Sequence, residues 1–340
     1  MHIDSVDTSS SSRRPPHLAD CLQQIANGYE TRTFDVCGEH LCTTGATTRI
    51  WHLVSGKLLY SVNHGEYVKG TSISFKPARK IDEEGMRVWL GTNMGEIQEI
   101  DIPSKRVVEI NPTAHTRREV LKIYRHAAEM WSLDSEGRLY VWPPDETGTP
   151  NLSNYFLNPR LPQGHTTSLA IDGQLWFATA KELRVFRPGL VEENENFVAT
   201  ALPINRLTGA GDMSSSAKMY TDPDRVYFGH NDGKVTYYSR KTFSHLGTVI
   251  VSAYRISCLV GVGRFLWAGN YTGVLHIYDT TSEIWTLKKE WKAHSSPVAA
   301  LIVDRSSIWK MGRLQVLSLS VDNTIKLWDG LLQDDWLGMS

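Results

Sequence analysis

Short stretches of alternating apolar and polar residues recur along most of the chain, each cut by a turn rich in Gly, Asn or Asp. Val88 to Asp101 reads VWLGTNMGEIQEID, and Leu266 to Asp279 reads LWAGNYTGVLHIYD. Both open with a hydrophobic residue, an aromatic and, two places on, Gly; a polar turn with Gly follows, then alternation ending on Asp. Further copies run Met130 to Pro143 (MWSLDSEGRLYVWP), Leu175 to Pro188 (LWFATAKELRVFRP), Val226 to Ser239 (VYFGHNDGKVTYYS) and Val316 to Asp329 (VLSLSVDNTIKLWD). A degenerate first copy, LCTTGATTRIWHL, spans Leu41 to Leu53. Period-two alternation over so few residues predicts strands, and the turn residues supply the positive φ of a tight hairpin.

The residues closing the copies are Trp51, Ile100, Trp142, Phe186, Tyr238, Tyr278 and Trp328, spaced by about 40 to 52 residues. That is the period of a four-stranded propeller blade. The flanks add strands, for example Ser72 to Phe75 and Arg106 to Ile110 around the second copy, and Val298 to Val303 and a short piece after Trp328 around the last. A two-sheet sandwich would not explain seven similar units at one spacing. The expected fold is all-β, a seven-bladed propeller over residues 29–332, with blades at about 33–63, 67–111, 117–158, 165–200, 204–248, 252–292 and 296–330.

The last unit closely resembles a WD-repeat. His294 precedes its first strand, and Ser318, Asp322 and Trp328 follow at the spacing S-x3-D-x5-W, ending in Trp328-Asp329. The resemblance implies a structural tetrad in which the Asp orients the His, the Ser hydroxyl bridges and the indole N–H is satisfied. Other units keep fragments, such as His165 and Asp232. His115, His126 and His165 are spread over different units without metal-ligand spacing, so loop or tetrad-remnant roles are expected.

At finer grain, residues 31–337 are similar to the N-terminal propeller of fungal inositol polyphosphate 5-phosphatases. The phrases that carry this include Arg49-Ile50-Trp51, Trp89-Leu90-Gly91-Thr92-Asn93, Arg117-Arg118-Glu119-Val120, Tyr140-Val141-Trp142-Pro143, Phe228-Gly229-His230-Asn231-Asp232-Gly233 and Asp334-Asp335-Trp336-Leu337. In that family a phosphatase domain follows the propeller, with G-D-x-N-x-R and P-x-W-C-D-R-I-L motifs around a magnesium-assisted attack on phosphate. Neither motif is here: Gly211-Asp212-Met213-Ser214 lacks the Asn. The chain stops at Ser340, about where that domain would begin, with residues 333–340 reading as the start of a linker. A fragment, a truncated gene model and a paralogue without its enzyme all fit. No catalytic residue and no cofactor are expected in this chain.

The WD-repeat resemblance places the loops entering each blade around the channel mouth: Tyr67 and Lys69, Arg117 and Arg118, Thr166 and Thr167, Tyr254 and Arg255, and Ser295 and Ser296. Arginine offers a planar fork to carboxylate or phosphate, and tyrosine gives large contact area at low entropy cost. The rim suits other proteins, in particular an acidic or phosphorylated segment, or an inositol phosphate head group. Free-standing scaffolding of a protein complex is the first rival, and a propeller enzyme with a channel metal the second.

Composition narrows the rest. Hydrophobic residues at 41% and charged residues at 21% fit a folded chain, and a net charge of -1 argues against nucleic-acid binding. No apolar run reaches the ~20 residues of a membrane helix, and residues 1–12 lack the apolar core of a secretory signal. A cytoplasmic location, peripheral to membranes at most, is expected. The 4 cysteines form no C-x-x-C pair, and no P-loop occurs. Glu83-Glu84 reads as a solvated loop, and Lys288, Lys289 and Lys292 as a solvated outer strand edge. Residues 1–28 read as a weakly ordered leader, with a short helical turn over His17 to Ile25. Residues before Thr33 are the local candidate to complete the seventh blade.

Overall fold

The computed structural model describes residues 18–23, 31–158, 160–179, 182–188, 213–215, 225–304 and 314–330. The expected leader up to residue 17, the end of the fourth blade and the linker over 333–340 lie outside the described residues. The described chain forms strands β1 to β27 in seven antiparallel sheets. The innermost strands are β2 (Thr31–Cys37), β6 (Gly70–Phe75), β10 (Val120–His126), β14 (His165–Ile171), β17 (Met213–Ser215), β21 (Ile256–Val262) and β25 (Val298–Asp304). Each touches the next, and β25 returns to β2, so the sheets close into a ring.

The residues closing the seven sequence copies occupy one register. Each pairs across the hairpin with the residue that opens its copy: Leu41 with Trp51, Val88 with Ile100, Met130 with Trp142, Leu175 with Phe186, Val226 with Tyr238, Leu266 with Tyr278 and Val316 with Trp328. Seven apolar clusters fill the interfaces between neighbouring blades, one for each interface. The alternation of the sequence is therefore not in-versus-out. It alternates between the two faces of a blade, both buried against neighbours, and that burial holds the ring.

The seventh blade is completed from the other end of the chain. β1 (Leu18–Gln23) pairs antiparallel with β27 (Thr324–Asp329), giving the order β1-β27-β26-β25, with β26 at Gln315–Ser320. Two expectations are corrected here. Residues 18–23 are a strand rather than leader or helical turn, and the fourth strand of this blade does not come from after Trp328. The free edge of β27 supplies ordered backbone partners that an isolated helical turn lacks.

Six innermost strands carry the same one-residue bulge near their start, at Arg32, Thr71, Leu121, Thr166, Ser257 and Ala299. A bulge re-aims the extra residue. Arg32, Thr71, Leu121 and Ala299 accordingly line a cavity of about 350 Å³ between the first strands of blades seven, one, two and three, with Asp35, Ser72, Ser74 and Lys122 also on its wall.

A candidate interaction rim around the channel

In each blade the turn between the second and third strands lies on the same face as the loop entering the first strand, because the strands are antiparallel. These turns pack on the loop of the next blade. Gly95 has φ +83, and a Cβ there would meet the Arg118 N and O at 2.9 Å and the Arg117 N at 3.0 Å. Only glycine fits that approach. The Gly95 carbonyl in turn accepts the His115 N–H at 2.9 Å. Turn and loop are also tied within the blade: the Asn93 N–H donates to the Lys69 carbonyl (3.0 Å), its Nδ2 to the Tyr67 carbonyl (2.9 Å), and its Oδ1 accepts the Lys69 N–H (2.8 Å).

Beneath the loop entering blade three lies a complete tetrad. The Trp142 Nε1–H donates to Ser132 Oγ at 2.9 Å, Ser132 bonds His115 Nε2 at 2.8 Å, and His115 Nδ1 faces Asp134 Oδ2 at 3.2 Å. That network assigns the Nδ1–H tautomer. Burial pushes the His115 pKa down despite the aspartate. Asp134 is held below its ordinary value: burial opposes its ionisation, but His115 and the N–H groups of Glu136 and Arg138 outweigh it.

In the seventh blade, His294 Nε2 bonds Ser318 Oγ at 2.6 Å, and the Trp328 Nε1–H donates to the same oxygen at 2.8 Å. Asp322 does not contact His294. Thr324 Oγ1 stands between them, 3.0 Å from His294 Nδ1 and 2.6 Å from Asp322 Oδ1, while Ser295 donates to Asp322 Oδ2 at 2.8 Å. Burial, with Lys326 nearby, pushes the His294 pKa down to about 4. His165 bonds Ser168 at 2.6 Å, and His126 accepts the Gly173 N–H at 2.9 Å, so the three other candidate histidines, His115 included, are tied into the fold.

The rim residues divide into two groups. Tyr67 is 77% exposed, Tyr254 is 56% exposed, and Arg117 and Arg255 are exposed. Arg118 is instead paired to Glu136 at 2.6 Å, and Glu136 also holds Arg160 at 2.7 Å. Arg32 pairs with Glu119 at 3.3 Å. Lys69 is half-buried, its backbone fixed by Asn93. Thr166 donates to the Ala178 carbonyl at 3.1 Å, Thr167 is buried, and the Ser296 carbonyl accepts Ser320 Oγ at 3.4 Å. Thr166, Thr167, Ser295 and Ser296 thus serve the fold. Thr116 and Arg117 both sit in the left-handed region, at φ 45 and φ 61. Two successive non-glycine residues there store strain at the tip that presents Arg117.

Other charged candidates are engaged. Glu84 makes a two-point pair with Arg125 at 2.7 and 2.8 Å, rather than standing in a solvated loop. Lys289 is buried and Lys288 lies 3.7 Å from Asp279, so those two do not form a solvated edge; Lys292 is exposed, its ammonium donating to the Thr272 carbonyl. A carboxylate that pattern reading missed is Glu99, 1% exposed, which accepts Lys76 Nζ at 2.9 Å, Arg87 Nη1 at 2.7 Å and Trp89 Nε1 at 2.8 Å. Among the described residues, no group of three or more His, Cys, Asp or Glu is placed to hold a metal ion. No helix among them is long and apolar enough to cross a membrane.

No family model matches the chain. A probable inositol polyphosphate 5-phosphatase of Schizosaccharomyces pombe is 33% identical over 339 residues, covering 97% of this chain and 28% of that protein. The WD repeat-containing protein slp1 of the same organism is 26% identical over 179 residues, covering 45% of this chain and 35% of that protein. The chain thus spans about a third or less of the length of these curated relatives. Among solved structures, a chain of a mitotic checkpoint complex superimposes with a TM-score of 0.69 at 13% identity, covering 95% of each chain. The computationally designed Ika8 protein does so with a TM-score of 0.57 at 15% identity, over 90% of this chain and 98% of that one. These superpositions carry the propeller fold. The sequence match shows that the chain resembles the propeller of inositol polyphosphate 5-phosphatases.

Proposed function

We propose that this chain, a seven-bladed WD-repeat-like propeller, is a non-catalytic docking and positioning module of an inositol polyphosphate 5-phosphatase-type protein. It acts in the cytoplasm, peripheral to membranes at most. The observation that carries the reading is the strained Thr116-Arg117 tip, which holds an exposed guanidinium on the rim while a buried tetrad anchors the loop from below. Side chains that could serve acid–base chemistry support it too: Glu84, Glu99, His115 and His294 are each engaged in fixed contacts inside the fold. The partner is another protein, met through an acidic or phosphorylated segment. An inositol phosphate head group is a smaller ligand of the same chemistry. Similarity to a WD repeat-containing protein over 45% of the chain favours free-standing scaffolding as the second reading.

The test compares the 340-residue chain with a Lys69→Glu, Arg117→Glu variant and with Lys57→Glu on an outer strand. Proteins captured from cells by the wild type are retained by Lys57→Glu and lost by the rim variant, at equal melting temperature. Retention of all of them by the rim variant would overturn docking through the rim. Release of phosphate from phosphatidylinositol 4,5-bisphosphate vesicles by the chain would overturn the non-catalytic reading.

A further inference from the structure

Equivalent positions on the rim can be read from the backbone. The Lys69 carbonyl accepts the Asn93 N–H at 3.0 Å, and the Arg255 carbonyl accepts the Tyr271 N–H at 2.9 Å, so Lys69 and Arg255 occupy the same place in blades two and six. Both are flanked by apolar tips. Tyr67 and Met94 stand beside Lys69, 77% and 44% exposed; Tyr254 and Tyr271 stand beside Arg255, 56% and 59% exposed. Arg117 adds a cation across the Gly95 turn from Met94, and Val321 adds an apolar tip on the neighbouring seventh blade. Among the described residues, Tyr67, Met94, Tyr254, Tyr271 and Val321 are the exposed large hydrophobic side chains on the entry loops and on the turns between second and third strands, and each belongs to one of these two clusters. Blades two and six are three steps apart in a ring of seven, so the clusters sit on nearly opposite sides of the channel mouth.

The anions of the face are largely engaged. Glu119 is held by Arg32, Glu136 by Arg118 and Arg160, Asp232 by Lys234, and Asp322 by Ser295 and Thr324. Glu66, beside Tyr67, is exposed. Lys69, Arg117 and Arg255 are the cations that stand beside the apolar tips of the two clusters, Arg117 and Arg255 exposed and Lys69 half-buried.

We infer that the two clusters are the ends of one track, which binds a single extended acidic polypeptide segment bearing aromatic side chains and crossing the channel mouth. This rests on the docking reading above and names its partner class. Each end offers an aromatic platform next to a cation, the pairing that takes an aromatic side chain with a neighbouring carboxylate. A bilayer is the poorer fit, because three cations and two separated apolar tips give neither a polybasic patch nor a continuous apolar face. Two weak ends on one ligand gain affinity through effective concentration, so breaking either end forfeits the gain.

The probe is a fluorescein-labelled random copolymer of glutamate and tyrosine, followed by anisotropy, with polyglutamate of equal length and phosphatidylserine vesicles as comparisons. The wild type is expected to bind the copolymer at least about tenfold more tightly than polyglutamate. Tyr67→Ala with Lys69→Glu, and Tyr254→Ala with Arg255→Glu, should each weaken it by about tenfold or more, and the four changes together should abolish it. Tyr271→Ser breaks the second end independently should the Tyr254 variant fail to fold. The track is overturned if either end can be broken without loss, if polyglutamate binds equally well, or if vesicles bind and the copolymer does not. A chain that loses its cellular partners on rim charge reversal yet shows no copolymer preference keeps the docking reading and rejects the track.

Discussion

His115 and Asp134 face each other at 3.2 Å with both side chains fully buried, one residue below the strained pair Thr116 and Arg117. The contact joins the core of blade three to the rim, since Ser132 and Trp142 continue it into the packed sheet. Ser132→Ala removes the hydroxyl that serves both His115 Nε2 and Trp142 Nε1. Two buried polar groups lose their partner, so a destabilisation of about 2–4 kcal/mol is expected in urea unfolding. A cost within the error of the wild-type curve would show that the tetrad does not hold the loop.

The Glu99 carboxylate balances two cations, and the Lys76 ammonium beside it is buried. Glu99→Ala strands that ammonium and should cost about 3–5 kcal/mol. Glu99→Ala together with Lys76→Met should recover much of the loss, because the uncompensated charge is then gone. Thermal melts of the single and double variants decide this, and a double variant no better than the single contradicts it.

Stability should fall with acid over a defined window. His294 titrates in the fold at about 4, below its ordinary 6.5. Below pH 6.5 the unfolded chain takes up a proton that the native chain refuses until about pH 4. The stabilisation from His294 is therefore complete above pH 6.5 and lost on the way down, by about 3 kcal/mol at most. Asp35 acts in the opposite sense. Burial pushes its pKa up to about 6 against the N–H groups of Phe75 and Val36, so it favours the native state as pH falls below 6. Urea unfolding between pH 7 and pH 4 should show a smaller loss for His294→Gln than for the wild type, each relative to its own value at pH 7. Parallel losses would count against the assignment.

The ring, its blade count and the hairpin register were legible because each copy opens and closes on residues that pair directly. What crosses between copies was only partly so. Closure of the seventh blade by residues before Thr33 is as expected, but their conformation is not: Leu18, Cys21, Leu22 and Ile25 follow helical spacing, yet residues 18–23 are a strand because the open edge of β27 pairs with them. The blade-three tetrad does not follow the S-x3-D spacing, because Asp134 stands two residues after Ser132 rather than four. Asp322 has the expected spacing but meets Thr324 instead of His294. Arg118 looked like a free anion receptor, and Glu136 from the neighbouring turn already holds it.

Closure by β1 has its own consequence. Deleting residues 1–23 removes the outer strand of the seventh blade and bares the β27 edge. The truncated chain should melt at lower temperature and associate with rising concentration, as unprotected edges do. Light scattering showing an unchanged monomer with the wild-type melt would mean that the β1–β27 pairing contributes nothing.

Hydrogen exchange of the chain with and without a bound partner addresses recognition by the rim head-on. Protection on binding is predicted at residues 64–69, 93–95, 113–119, 251–255 and 270–273, with the outer strands unchanged. Protection confined to the outer strands, with those loops exchanging as in the free chain, would contradict it.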